Sequence, residues 1–201
     1  MLSPNFWPFP TLTTSRLLLR QLTSADAAAV LRLRSDMKVM QYINRPLALT
    51  IEDAEKWIGI VADALEKADG ITWCICLKES PEEHVGNIGL WRIEKENYRA
   101  EIGYMLEPAL HGKGLMYEAV QAVLKYGFEE MKLHSIEARI DPRNGASEAL
   151  LKKAAFVQEA YFKENYYLRG SFADTAVFSL LTPLRKGVHT TGATQQAKLL
   201  S

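Results

Sequence analysis

Arg99 to Val120 reads RAEIGYMLEPALHGKGLMYEAV, and the change of rhythm inside this stretch decides the fold. RAEIGYML is a strand candidate, whereas LMYEAVQAVLKYGFEEM sets Leu115, Ala119, Ala122, Val123 and Tyr126 on one helical stripe. The two runs meet at the tight His111-Gly112-Lys113-Gly114 corner. A helix N-terminus leaves backbone N–H groups without intrahelical partners and carries a partial positive charge, so a strand-glycine-helix junction is an anion site in waiting. Glycines let phosphate oxygens come close to the backbone. Two known phosphate loops do not match. The Walker A pattern needs Gly where Glu107 stands and Ser or Thr where Gly114 stands, and the dinucleotide fingerprint needs a third Gly at Tyr117.

Upstream, RLLLRQL (Arg16 to Leu22) reads as a strand, and Ser24-Ala25-Asp26 opens a helix over AAAVLRLR. Thr50-Ile51-Glu52-Asp53 forms a capping box with Asp in place of Glu, ahead of Ala54, Trp57, Ile58, Val61, Ala62 and Leu65 at helical spacing. Gly70 closes this second, amphipathic helix. ITWCICL, VGNIGLWRI and RAEIGYML follow as an antiparallel meander joined by ESPEEH and EKENY, which carry turn chemistry. Beyond the corner helix come the strand SIEARI, a turn capped by Asn144 with a short helix, and strands through VQEAYFKENYYL and DTAVFSLL. The expected order is β α α β β β α β α β β, an α/β (α+β) domain over residues 1–185, with residues 186–201 as a polar C-terminal tail.

The 201 residues are 48% hydrophobic, enough for one sizeable core, and 24 basic residues balance 24 acidic ones. No whole-molecule field draws the chain to nucleic acid or to an anionic membrane, so an anionic ligand must be held locally. MLSPNFWPFP lacks a basic n-region and is broken by prolines, and no uncharged apolar run approaches the roughly 20 residues of a membrane span. The expectation is a soluble, cytoplasmic protein. Cys74 and Cys76 sit on one face of a strand, which excludes a disulfide framework, and no Cys/His cluster in the sequence suggests a metal. The four histidines show neither HxxxH spacing nor a hydrolase arrangement.

The neighbourhood of the corner, RAEIGYML-EPAL-HGKG-LMYEAV, resembles the acetyl-CoA pyrophosphate loop of the GNAT superfamily of N-acyltransferases. RLLLRQLTSADAAAV, Asn144-Gly145-Ala146-Ser147 with LLKKAAF, and YFKENYYLRGSFADTAVFSLL extend the likeness over roughly Thr13 to Leu181, and identify the RimJ/RimL-like branch, named for enzymes that acetylate N-terminal amines of ribosomal proteins. The resemblance implies a GNAT fold: a mixed, splayed sheet of six to seven strands with helices on both faces. It also implies acetyl-CoA as cosubstrate, no metal, and direct transfer to a primary amine in a ternary complex, with a homodimer as a further expectation.

By the same resemblance, His111, Gly112, Lys113, Gly114, Leu115 and Met116 wrap the pyrophosphate through backbone donors, with Lys113 adding charge. Backbone groups around Met105 and Leu106, with Asn144, hold the pantetheine arm. Glu101 matches a base glutamate, Ser147 lies near the sulfur as a proton donor or orienter of water, and Tyr166 offers a phenolic proton to the departing thiolate. Arg143, Lys152 and Lys153 are candidates for the 3′-phosphate, and Trp57 for the acceptor groove. Leu151 stands where many members carry a general-acid tyrosine, which motivates a rival reading as a non-catalytic acyl-CoA-binding or sensing module. Within the enzyme reading the acceptor is a protein N-terminal α-amine or a small amine such as a polyamine, an amino acid or an aminoglycoside. The loop Asn44 to Leu49 and the C-terminal strands choose between them.

Overall fold

In the computed structural model of the chain, residues 1–183 are described. The expected tail, 186–201, lies outside them. Thirteen elements follow in the order β1 (Leu12–Thr13), β2 (Leu17–Gln21), α1 (Ala27–Ser35), α2 (Met37–Met40), α3 (Ile51–Glu66), β3 (Ile71–Leu77), β4 (Gly86–Glu94), β5 (Arg99–Leu106), α4 (Leu115–Glu129), β6 (Ser135–Ile140), α5 (Gly145–Lys153), β7 (Val157–Leu168) and β8 (Ser171–Leu181). The strands form one sheet in the order β1-β2-β3-β4-β5-β6-β8-β7. The sheet has eight strands rather than six or seven. The addition is β1, whose two residues pair with Leu18 and Leu19 and are too short to leave a period-2 signature. The short helix α2, opened by Asp36 accepting the Lys38 N–H, is a second addition.

Sequence chemistry accounts for most boundaries. Thr50 and Asp53 form the capping box of α3, with the Thr50 hydroxyl accepting the Asp53 N–H and Asp53 Oδ2 accepting the N–H groups of Leu49 and Thr50. The β7–β8 hairpin turns at Arg169 and Gly170, both at positive φ, as a tight two-residue hairpin requires.

Strand alternation splits the core in two. On one face of the sheet Trp73, Ile75, Ile88, Leu90 and Ile102 pack against Leu115, Ala119, Val123 and Phe128 of α4, with Leu2 and Phe6 of the opening segment also buried there. On the other face Cys74 and Cys76 pack under Val30 of α1 and Ala54, Ile58 and Val61 of α3. Helices thus cover both faces, as expected. Two large apolar faces removed from water are the main stabilising term of such a layered domain.

The feature that positions the site is the junction of β5 and β6. All other neighbouring strands are antiparallel, but β5 and β6 run parallel, and they pair only from Arg99↔Ser135 to Glu101↔Glu137. Past Glu101 the two strands part. From Ile102 to Leu106, β5 is laddered only to β4. No helix among the described residues is long and apolar enough to cross a membrane.

Candidate active site

A cavity of about 1850 Å³ opens where β5 and β6 part, reaching from the 111–116 corner on one side to α1, α3 and the loop between α2 and α3 on the other. Every residue assigned above to catalysis or to the cosubstrate, except Lys113 and Lys152, lines it. Lys113 is exposed, and its carbonyl accepts from Arg16 Nη1 at 2.9 Å.

The corner is built from φ angles that favour glycine. Gly112 and Gly114 both have φ of +75°, and Gly114 serves as the N-cap of α4 in the left-handed region with no side-chain cap. The N–H groups of 112–116 meet no acceptor among the described residues, while the Glu118 N–H closes the first helical bond to Gly114 O. Gly112 has open space where a Cβ would stand. Consecutive open amides at a helix N-terminus form the concave donor surface that suits a diphosphate. His111 departs from the expectation: its N–H is spent on Pro108 O, and its ring Nε2 donates to Leu106 O at 3.0 Å, tying the corner to the end of β5. The run of amides therefore begins at Gly112.

A strut under the corner was not read from the sequence. Glu118, in the first turn of α4, accepts from Thr14 Oγ1, Ser15 Oγ, the Arg16 N–H and the Arg16 guanidinium. Burial pulls its pKa up, but these four donors outweigh burial and leave it at about 2.

Glu101 is the last β5 residue paired with β6 and stands directly opposite Trp91 across the β4–β5 ladder, on the α1/α3 side. Its Oε2 accepts from Arg92 Nη1 at 2.9 Å. Burial pushes the carboxyl up, the Arg92 guanidinium draws it down, and Glu137 beside it on β6 pushes it up again, for a net rise. A carboxylate lifted in this way accepts a proton more readily than an ordinary glutamate.

On the opposite face of β5, Tyr104 Oη lies 2.7 Å from Ser147 Oγ, and the Ser147 N–H donates to Asn144 Oδ1 at 3.1 Å. Asn144 caps α5 and Ser147 sits buried in its first turn, so one local motif serves capping and positioning together. Tyr104, pushed up to about 12 by burial, stays protonated. It was missed although it lies inside the quoted strand, because nothing in a single sequence says that a strand tyrosine will meet a serine 43 residues later. Leu151, at the place of the usual tyrosine, is fully buried in the core.

Tyr166 donates to Asp141 Oδ2 at 3.2 Å and is pushed up to about 12, by burial first and then by the Asp141 charge. Its proton is thus aimed at a carboxylate. Asp141, buried, is held by the Arg143 N–H and guanidinium, which outweigh burial and keep its pKa low. Arg143 is therefore committed to Asp141, and Lys152 to Glu148 at 2.5 Å. Of the three cations suggested for a 3′-phosphate, Lys153 alone has no ion pair among the described residues; its ammonium lies 4.4 Å over the Tyr117 ring at the cavity wall.

Folding brings Asp26, Cys74 and His84 within 4.8 Å of one another, a cluster invisible in sequence order. Both Asp26 oxygens are engaged by Arg20, at 2.7 and 3.0 Å, and Oδ2 also accepts the Thr23 N–H. The carboxylate is saturated and faces a guanidinium, which disfavours a cation there. Cys74 and Cys76 are free thiols with sulfurs 3.5 Å apart.

A parted mixed sheet beside a glycine-opened helix N-terminus is the architecture of an acyl-group transferase. Residues 16–157 match the family model described as acetyltransferase (GNAT) domain, and the chain belongs to that family. It is 35% identical over 171 residues to the uncharacterised N-acetyltransferase p20 of Bacillus licheniformis, covering 85% of this chain and 96% of the relative. To the uncharacterised N-acetyltransferase YoaA of Bacillus subtilis it is 34% identical over 175 residues, covering 87% and 98%. The crystal structure of a GNAT-family acetyltransferase from Bacillus anthracis superposes with a TM-score of 0.76 at 32% identity, over 86% of this chain and 99% of that one. More distant relatives include the ribosomal protein uS5-alanine N-acetyltransferase of Escherichia coli, 34% identical over 82 residues, 41% of this chain and 42% of that one. The protein is an N-acetyltransferase of the GNAT family.

Proposed function

We propose that the protein transfers acetyl from acetyl-CoA to the free α-amine of a peptide or protein N-terminus. The observation that carries the choice of acceptor is the charge on the α1/α3 side of the cavity. Arg34, Lys38, Arg45 and Lys56 line it with no ion pair among the described residues. The acids of the wall, Asp53, Glu101 and Asp141, are already engaged by backbone amides, Arg92 and Arg143. Such a wall repels a polyamine or an aminoglycoside, whose several charges need open carboxylates. An α-amine of pKa about 7.7–8.0 is roughly a tenth or more neutral at pH 7, against about four parts in ten thousand for lysine, so it asks little of a base.

The residues divide the work. Amides of 112–116 grip the diphosphate, and the free edge of β5 at Met105 and Leu106, with Asn144, takes the pantetheine amides. Glu101, on the acceptor face, receives the proton of the attacking amine directly or through one water. Ser147, backed by Tyr104, stands on the other face of β5 and returns a proton to the sulfur. Tyr166, whose proton is aimed at Asp141, is the second candidate for that role.

The test is release of coenzyme A thiol from acetyl-CoA, measured with free-amine peptides, spermidine and an aminoglycoside. Release with peptides alone is expected. Release with spermidine alone moves the acceptor to the small amines, and tight coenzyme A binding without release for any amine favours a sensing module.

A further inference from the structure

Arg34, near the end of α1, is a buried cation without a counter-charge. It is 8% exposed, and its guanidinium lies 5.0 Å over the Trp57 ring of α3. Among the described residues it makes neither an ion pair nor a side-chain hydrogen bond, whereas Arg20, Arg92, Arg99 and Arg143 all meet carboxylates. Residues 184–201 contain no Asp or Glu that could supply one. Its neighbour in charge, Arg45, donates only to a backbone carbonyl, Asn44 O, at 3.0 Å. Burial and the Arg45 charge both penalise the charged form of Arg34 and lower its pKa.

Arginines buried to this degree are nearly always paired, because an isolated desolvated charge is expensive, and a ring contact worth about 0.5–2 kcal/mol offsets only part of that cost. Arg34 nevertheless lines the same cavity as Glu101. Trp57, on which it rests, flanks the same small core cluster as Trp91, and Trp91 stands opposite Glu101. A charged fork held on an indole in the cavity of the proposed base is a receptor for a planar anion.

We infer that Arg34, held on Trp57 and supported by Arg45, is a specificity-determining residue that binds a carboxylate carried by the acceptor, so the preferred acceptor is an N-terminal amine followed closely by an acidic side chain. This rests on the amine-acceptor reading above and narrows it. The same chemistry is offered by the α-carboxylate of a free amino acid, and the test separates the two sources. A bidentate Arg–carboxylate pair also orients the amine, which restricts how the acceptor enters.

The experiment compares pentapeptides with a free N-terminal Ala or Ser that differ only at positions two and three, carrying Asp, Gln or Lys, alongside free aspartate and glutamate. Thiol release gives kcat/KM, and calorimetry on the coenzyme A-loaded protein gives affinity without requiring turnover. Acidic peptides are expected to exceed basic ones by at least about tenfold, roughly 1.4 kcal/mol, chiefly in KM. Arg34→Gln should collapse that ratio and Arg34→Glu should reverse it, with coenzyme A binding as the folding control. If neither variant folds, Arg45→Gln should weaken the preference in the same direction. A charge preference confined to free amino acids and lost in Arg34→Gln keeps the anion site and overturns the peptide reading. Equal or reversed preference in the unaltered protein, or a preference untouched by Arg34→Gln and Arg45→Gln, overturns the inference.

Discussion

The two ends of the cavity are built from different materials. At the corner of 111–116 the groups proposed to hold the cosubstrate are the backbone amides of 112–116, set by two glycines at positive φ and braced from beneath by Glu118. On the α1/α3 side the proposed groups are side chains, Glu101 with Arg92 and Arg34 on Trp57, delivered by the separate pairs β4–β5 and α1–α3. Backbone can serve any phosphate-bearing ligand, so it suits the half of the reaction that stays constant. Side chains carry charge and shape that differ between acceptors, so they suit the half that selects.

Substitutions at the two ends should therefore fail in different ways. The largest effect is expected for Glu101→Gln, with kcat/KM falling on the order of 10²–10⁴-fold while coenzyme A binding persists. Because burial holds the Glu101 pKa above that of an ordinary glutamate, activity of the unaltered protein should fall as pH drops through that raised value, and a pH–rate profile of Glu101→Gln should lack this acid limb. Retained turnover in Glu101→Gln would assign the proton to water or to another group.

Gly114→Val should show the converse. A non-glycine residue in the left-handed region costs roughly 1–2 kcal/mol, and β-branching raises that cost, so the corner will reshape. Coenzyme A affinity by calorimetry should weaken on the order of 100-fold, well beyond any change in kcat at saturation. An unchanged affinity would mean that the grip lies elsewhere.

A smaller effect tests the bridge between the two ends. Tyr104→Phe removes one hydrogen bond to Ser147, worth about 1 kcal/mol, and should slow single-turnover acetyl transfer by about fivefold with affinity unaltered. A larger loss would promote Tyr104 from support of Ser147 to donor in its own right.

The smallest effect concerns the strut. Glu118 has a folded-state pKa of about 2, below its unfolded value, so its contribution to stability is present above the unfolded pKa of about 4.3 and is lost as pH falls toward 2. Melting temperature against pH should therefore be flatter between pH 5 and pH 2 in Glu118→Gln than in the unaltered protein. Parallel curves would show that the four donors to Glu118 are matched in the unfolded chain.

Local chemistry was legible wherever a signal and its consequence lie within a few residues. The capping box Thr50–Asp53, the Asn144 cap, the shared face of Cys74 and Cys76, and the glycine corner are all such cases. The parting of β5 from β6, the Tyr104–Ser147 contact, the spending of Arg143 on Asp141 and the Asp26–Cys74–His84 cluster were not, since each depends on which strand lies beside which. The His111 amide illustrates the boundary: the corner was recognised, but the preceding turn claims that donor for Pro108.

The sequence by itself thus determined the layered α/β order, the family and the glycine corner, because helix and strand periods, caps and positive-φ glycines act over one or two turns of chain. Tertiary structure alone decided which side chains share the cavity and which charges lack partners. Coulomb and hydrogen-bond energies depend on distance in space, and the distance from Arg34 to a carboxylate is not written in its neighbours along the chain.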